Sequence, residues 1–342
     1  MSRFIAFTRF ITFICALCAV SLIFYTSGSF AQTTSGEKTE ATPVQKKDLA
    51  SEQKLLEVGG VLLPKGALTI EPSLQYSHYS RRTISISGFT ILGAIVIGEI
   101  SVSDIKRDFL QGALTTRYGI TSWLEAELKV PYIYTSFRDI RGPGTAEMTE
   151  RRVQDTGLGD IEGALYGHVI KEKGIVPDII LNFRVKFPTG RDPYHLDTDS
   201  RGRITELPTG NGHWGFSGGF TAVKRSDPVV FFGGLTYFWN VRKKVSESIG
   251  TVDPGDSLEG SIGMAYALSE KFSLSTTYQH RITMKQKLDG EDVPGTFVNY
   301  GALTLGGSYA LSKNTFVNLS VGIGVTDDAP DVELRLSIPF SF

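Results

Sequence analysis

Cysteine is almost missing from this chain. Cys15 and Cys18 are the 2 in 342 residues, and both sit close to the N-terminus. Once a leader containing them is removed no thiol remains, which excludes a disulfide scaffold, thiolate metal sites and cysteine redox chemistry. Charge of one sign is also missing. The 35 Lys and Arg against 36 Asp and Glu leave a net charge of −1, so the basic stripe expected of a nucleic-acid binder is absent. Long apolar runs are scarce. Phe10–Tyr25 is almost unbroken but somewhat short for a spanning helix, and nothing later resembles a second one. Familiar catalytic patterns are wanting too. The 5 histidines (His78, His168, His195, His213 and His280) show no HExxH and no close ligand spacing. Asp160 and Glu162 pair two carboxylates, as glycoside hydrolysis requires, but on one strand face and with no sign of a cleft. GLGDIEG at 157–163 lacks the strand-to-helix setting of a dinucleotide loop. His78 and His280 have the parity a lipase at a lipid boundary would need, yet no serine is marked as a partner, and both suit a membrane interface. The expectation is a protein that is not an enzyme and carries no metal or other cofactor.

The N-terminus has the form of a secretory signal. Arg3 and Arg9 precede the apolar run, and Ser29-Phe30-Ala31 offers small residues for cleavage near Ala31. Ile14 and Leu17 precede the cysteines where a lipoprotein signal needs a small residue, which argues against a lipid anchor. Residues 32–66 form a separate periplasmic region, a polar linker in which Val44–Val58 suits a short solvated helix with Leu49, Leu55 and Leu56 as its apolar side. GVLLPKG then breaks the helix and leads into the first strand.

From residue 67 to 342 helical periodicity disappears. Runs of about ten residues alternate in hydrophobicity between turn residues. In VELRLSIPFSF (332–342), Val332, Leu334, Leu336, Ile338, Phe340 and Phe342 share one parity, while Glu333, Arg335 and Ser337 share the other. That pattern fits a strand with lipid on one side and water on the other, or the edge strand of a soluble sandwich. Twelve such runs fall at 67–79, 109–119, 123–135, 159–170, 178–188, 213–223, 229–241, 256–268, 272–286, 298–311, 315–326 and 332–342. Their connections alternate short and long, as tight periplasmic turns and longer outer loops do in an outer-membrane barrel. Greek-key sandwiches have no reason to keep that rhythm. The reading is an all-β, transmembrane, antiparallel up-and-down barrel. Counting back from Phe342 places Ser80–Arg107 outside, either as an extension of the first hairpin or as two further strands; twelve strands is preferred to fourteen because GFTILGAIVIGEI (88–100) lacks clean alternation. Tyr118, Tyr132, Tyr134, Trp214, Trp239, Tyr278 and Tyr309 fall near strand ends, where an aromatic girdle belongs.

The polar parity then faces a lumen. It carries Glu71, Arg117, Glu125, Glu127, Lys129, Asp160, Glu162, Arg184, Lys186, Glu259, Arg281, Glu333 and Arg335. Such charges either create a transverse field that sets selectivity or holds a plug, or simply keep the lining wet and the strands paired. Between the PTG triplets at 188–190 and 208–210 lies RDPYHLDTDSRGRITEL, which suits a lid or partner-binding loop, or an ordinary solvated outer loop.

Several segments taken in order resemble a known family: LTIEPSLQYSHYS (68–80), TTRYGIT (115–121), VPY (130–132), TGLGDIE (156–162), KFPTGRDP (186–193), ELPTGNGHWG (206–215), SDPVVFF (226–232) and VGIGVTDDAPDVELRLSIPFSF (321–342). Together they resemble the outer-membrane barrel family labelled for the MetA pathway of phenol degradation, and within it the exporter branch of the Fap functional-amyloid system. The resemblance implies a twelve-stranded barrel and, for that branch, a homotrimer, an N-terminal coiled coil and a helical plug. Here the corresponding region is short and weakly heptad. It also implies passive passage, with export of amyloid-type subunits as the first expectation. The alternatives are uptake of small aromatic or hydrophobic solutes and a structural barrel with a closed lumen. Phe340 and Phe342 resemble the terminal signal read by the barrel-insertion machinery. Implied partners are thus that machinery, outer-membrane lipid, and either amyloid subunits or small solutes.

Overall fold

The computed structural model describes residues 61–92, 95–141, 149–200 and 205–342; the expected signal and linker helix lie outside the described residues. All regular structure among them is β. In chain order the strands are β1 (Leu68–Leu92), β2 (Ile95–Gly119), β3 (Leu124–Arg141), β4 (Thr149–Leu158), β5 (Ile161–Ile170), β6 (Asp178–Phe187), β7 (Gly215–Ser226), β8 (Val229–Asn240), β9 (Lys243–Ser246), β10 (Gly250–Asp253), β11 (Ser257–Ala267), β12 (Phe272–Thr283), β13 (Lys287–Leu288), β14 (Glu291–Asp292), β15 (Val298–Ala310), β16 (Phe316–Gly324), β17 (Val332–Ser337) and β18 (Phe340–Ser341). Fourteen of these form one antiparallel sheet that closes on itself. Because β4 and β5 both pair with β3, and β17 and β18 both pair with β1, each couple is one interrupted stave and the barrel has twelve. Closure runs from Ser73↔Ser337 to His78↔Val332, with Thr69↔Ser341 below it, where the Thr69 and Ser341 hydroxyls meet at 3.0 Å.

Burial follows the period-2 pattern, inverted relative to a water-soluble protein. Leu128, Leu181, Phe231, Ile262, Leu305 and Leu319 are exposed on the outside, whereas Glu127, Ile180, Val230, Ala265, Ala302 and Asn318 on the same strands are buried inside. An apolar exterior of this kind is stable only against lipid, where every backbone N–H and C=O must be paired within the protein. Tyr118, Trp123, Tyr266, Tyr309 and Phe342 ring one end, and Trp214, Tyr237, Trp239 and Tyr278 the other. From Trp123, just ahead of β3, to Tyr134 the chain rises by about 25 Å for strands tilted at about 45°, the height of an outer-membrane band.

The fourteen-stranded alternative is settled by the first hairpin. β1 and β2 pair without interruption from Leu68↔Tyr118 to Thr90↔Val96, so 80–107 extends that hairpin outward and adds no stave. β3 and β4 extend beside it, from Ser103↔Arg141 on one edge to Arg141↔Thr149 on the other. A separate four-stranded sheet, β14-β13-β10-β9, joins the two outer loops at 241–256 and 284–297. β6 stops at Phe187 while β4 continues upward, which leaves a notch in the rim that residues 188–200 and 205–214 occupy.

The Thr69–Ser341 contact fixes the seam. A Thr69→Cys/Ser341→Cys double variant is expected to oxidise to a disulfide, since neighbouring strands hold the two positions within disulfide reach. On denaturing gels the boiled, unreduced protein should run faster than the reduced one. Identical mobility after oxidation would place the seam elsewhere.

Candidate functional site

Inside the barrel the charges interlock across neighbouring staves. Arg117 Nε lies 2.9 Å from Glu127, whose other oxygen is 3.1 Å from Arg184; Arg184 reaches Glu162 at 2.5 Å. The Tyr166 hydroxyl accepts from Arg184 at 2.8 Å. Glu71 lies 3.6 Å from Arg335 across the seam, and Arg281 donates to Glu259 at 2.6 Å while its guanidinium stacks 4.4 Å from the Phe238 ring centre. Lys129 faces Glu162 in register, and Glu333 accepts from the Ser77 hydroxyl at 3.3 Å. The thirteen charges named from sequence therefore share the inner face, but they form local clusters on the wall, and two of them have other partners.

Glu125 is one. Its buried carboxylate accepts the backbone N–H of Leu63 at 2.7 Å. Residues 61–66, expected only to lead into the first strand, enter the periplasmic mouth. Leu62 packs on Ala164, Tyr166 and Ile180, and Val61 on Val223, Val230, Phe232 and Ala265. Gly66 N–H donates to the Gly119 carbonyl at 2.7 Å. A side chain at Gly119 would collide with the Pro64 carbonyl, so glycine there permits the approach. The one signal in the sequence was three successive apolar residues in a polar linker.

Asp160 is the other. It lies 3.5 Å from Lys186 but also accepts from the backbone N–H groups of Gly190 and Asn211, each at 3.1 Å. It stands at the break between β4 and β5, where the ladder leaves the Leu158 and Gly159 carbonyls. Thr209 Oγ1 donates to Leu158 O at 2.7 Å and Thr189 Oγ1 to Gly159 O at 2.8 Å, while Ile161 N–H donates to Thr189 at 2.9 Å. The two PTG triplets thus meet around one stave break, Gly190 against Gly210, and Arg191 pairs with buried Asp155. Further along, His213 is fully enclosed: its Nδ1–H donates to Val241 O at 2.8 Å, so Nε2 accepts the Tyr194 hydroxyl at 2.6 Å. Burial pushes the His213 imidazole below its usual range, which keeps it neutral at pH 7. This loop is latched over the notch and is not an ordinary solvated one.

Between the latched loop and the 61–66 segment lies a cavity of about 700 Å³. Lys129, Glu162, Arg184, Lys186, Glu259 and Arg281 give it a charged wall, and Tyr166, Phe232 and Phe238 give it apolar surface. Asn211 lines its outer part, while Ala164, Tyr166 and Phe232 carry the packed Val61 and Leu62 beneath. Tyr166 shares the parity of Glu162 and was legible as lumenal. Phe232 was not, because VVFF at 229–232 is apolar on both faces.

Residues 59–342 match the family described as "Putative MetA-pathway of phenol degradation". The chain belongs to this family. Among solved structures, this chain is similar to the COG4313 outer membrane channel from Pseudomonas putida F1, at 14% identity over 82% of this chain and 97% of that one, with a TM-score of 0.55. A fainter likeness, at 9% identity over 82% of this chain and 90% of the other and a TM-score of 0.41, is to the P. putida toluene transporter TodX, and is too distant to argue from. Nothing in these matches singles out the Fap exporter branch.

Two outcomes test this geometry. Losing the charge-assisted bond from Leu63 in Glu125→Ala should release the segment, and removing residues 61–63 should do so fully. Each is expected to raise the open-channel population about tenfold or more in planar bilayers. Unchanged currents in both would show that the segment does not occlude the mouth. For His213 the folded pKa lies below the unfolded value of about 6.5. The released loop therefore binds more protons, and the latch, at full strength above about pH 6.5, weakens as pH falls below it. Limited proteolysis in the 191–207 loop should accelerate at acid pH in the parent and lose that pH dependence in His213→Gln. An acid response equal in both would remove His213 from the latch.

Proposed function

We propose that this barrel is an outer-membrane channel for small aromatic molecules bearing a polar group, reached after export and loss of a leader ending near Ala31. The observation that carries the reading is the 700 Å³ cavity, in which Tyr166, Phe232 and Phe238 stand among charged side chains. That volume suits a small molecule, whose ring would lie on the aromatics while its polar group meets Arg184, Lys186 or Glu259. The family's description names phenol degradation, and the solved COG4313 structure is described as a channel; both are consistent with it. In this reading the lumenal charges set selectivity, Glu125 holds the mouth segment, and Phe340 and Phe342 serve insertion.

Export of amyloid-type subunits draws no comparable support. An extended polypeptide would have to displace both the mouth segment and the loop, and the homotrimer expected with that branch has no observation behind it. The closed structural barrel is a real second reading, because Val61 and Leu62 fill the mouth.

One experiment separates them. In planar bilayers the chain lacking residues 61–63 should conduct, and phenol should block the current. Replacing both Phe232 and Phe238 by Ala should weaken that block about tenfold. Absence of current in both the full and trimmed chains would leave the closed barrel standing, and block unaffected by the substitutions would discard aromatic recognition.

A further inference from the structure

Outside the lumen, the extended wall of β2, β3 and β4 carries a feature that passage through the barrel does not use. Lys106, Arg138 and Arg152 are direct register partners, Lys106↔Arg138↔Arg152, on the lipid-facing parity. Two residues below them on each strand lies the row Asp108↔Ser136↔Gln154, and two below that Leu110↔Tyr134↔Thr156. Tyr134 marks the top of the apolar band, so the three cations stand at the height of the lipid headgroups. Neighbouring strands are about 4.8 Å apart, and like charges directly opposite one another oppose strand pairing. Among the described side chains two carboxylates are near. Glu150 lies 3.2 Å from Arg138 Nε, and Asp108 is engaged by His78 at 2.7 Å and the Tyr76 hydroxyl at 2.8 Å. The row above them is Asp104↔Ile140↔Glu150, and the exposed Arg152 guanidinium meets the Gln154 amide.

We infer that this row binds the phosphate groups of a phosphorylated glycolipid in the outer leaflet. A phosphate ester seated across the three strands would neutralise the cation row, with Arg138 and Arg152 presenting planar donor pairs to its oxygens. The ester's acyl chains would lie on the apolar band below, against Leu110 and Tyr134. The inference rests on the outward direction of the long hairpins but not on what the lumen carries.

The test uses full-length protein in detergent, incubated with deep-rough lipopolysaccharide, with the same lipid after removal of its phosphates, and with inorganic phosphate. Lipid retained after detergent exchange is counted, and single-channel conductance is recorded beside it. The parent should retain the phosphorylated lipid, and each of Lys106→Gln, Arg138→Gln and Arg152→Gln should lower retention about fivefold. The phosphate-free lipid and inorganic phosphate should be retained or compete weakly, with conductance unchanged throughout. Equal retention of the phosphate-free lipid, full competition by inorganic phosphate, or retention unaltered in Lys106→Gln and Arg152→Gln would overturn the site. A conductance failure with lipid binding intact would count against the channel alone.

Discussion

Backbone hydrogen bonding in lipid is the constraint on which the rest of this structure depends. A membrane interior offers no water to an unpaired N–H or C=O, so the chain must close its sheet. Closure with twelve staves sets a narrow lumen, and strand alternation then sends one residue in two to that lumen. Wherever the ladder is interrupted, side chains and loops have to complete it. At the β4–β5 break this is done by Thr189 and Thr209 from the outer loop, and Asp160 in turn gathers the loop's own N–H groups. The loop is therefore latched as a consequence of repairing the wall.

The same economy of partners governs the lumen. Buried carboxylates cannot stand alone in a low-dielectric interior, and here each has a cation, a hydroxyl or a backbone donor. Glu127 sits between Arg117 and Arg184, Glu71 is matched across the seam by Arg335, and Glu125 uses the N–H of Leu63. Satisfying Glu125 from the N-terminal segment couples a local hydrogen bond to the state of the mouth. What is left between mouth and loop is a chamber with both charge and aromatic surface, suited to a small ring carrying a polar group.

Much of this was legible from residue pattern. The inner and outer faces of β3, β5 and β6 read directly from alternation, because lipid on one side and water on the other impose opposite chemistry on adjacent residues. β4 was hidden in what looked like a loop. TERRVQDTGL is polar on both faces because much of the strand stands above the membrane, and pairing with β3 rather than an apolar stripe makes it a strand. The stave break was equally hidden, since Thr189 and Thr209 lie 30 and 51 positions from the carbonyls they satisfy. Local spacing carries no trace of such contacts. GVLLPKG announced a change of structure but not that Val61–Leu63 would turn into the barrel.

The central claim is that the chamber is reachable and receives an aromatic guest. Ser261 lines it, and the chain beyond the two N-terminal cysteines has no thiol. A cysteine placed there by Ser261→Cys offers a single reporter inside the lumen. The most direct measurement is its rate of modification by a small, membrane-impermeant thiol reagent, with and without phenol. The account predicts modification that phenol slows in a saturable way. A thiol that never reacts in the folded barrel, or that reacts at the same rate whatever the phenol concentration, would contradict it.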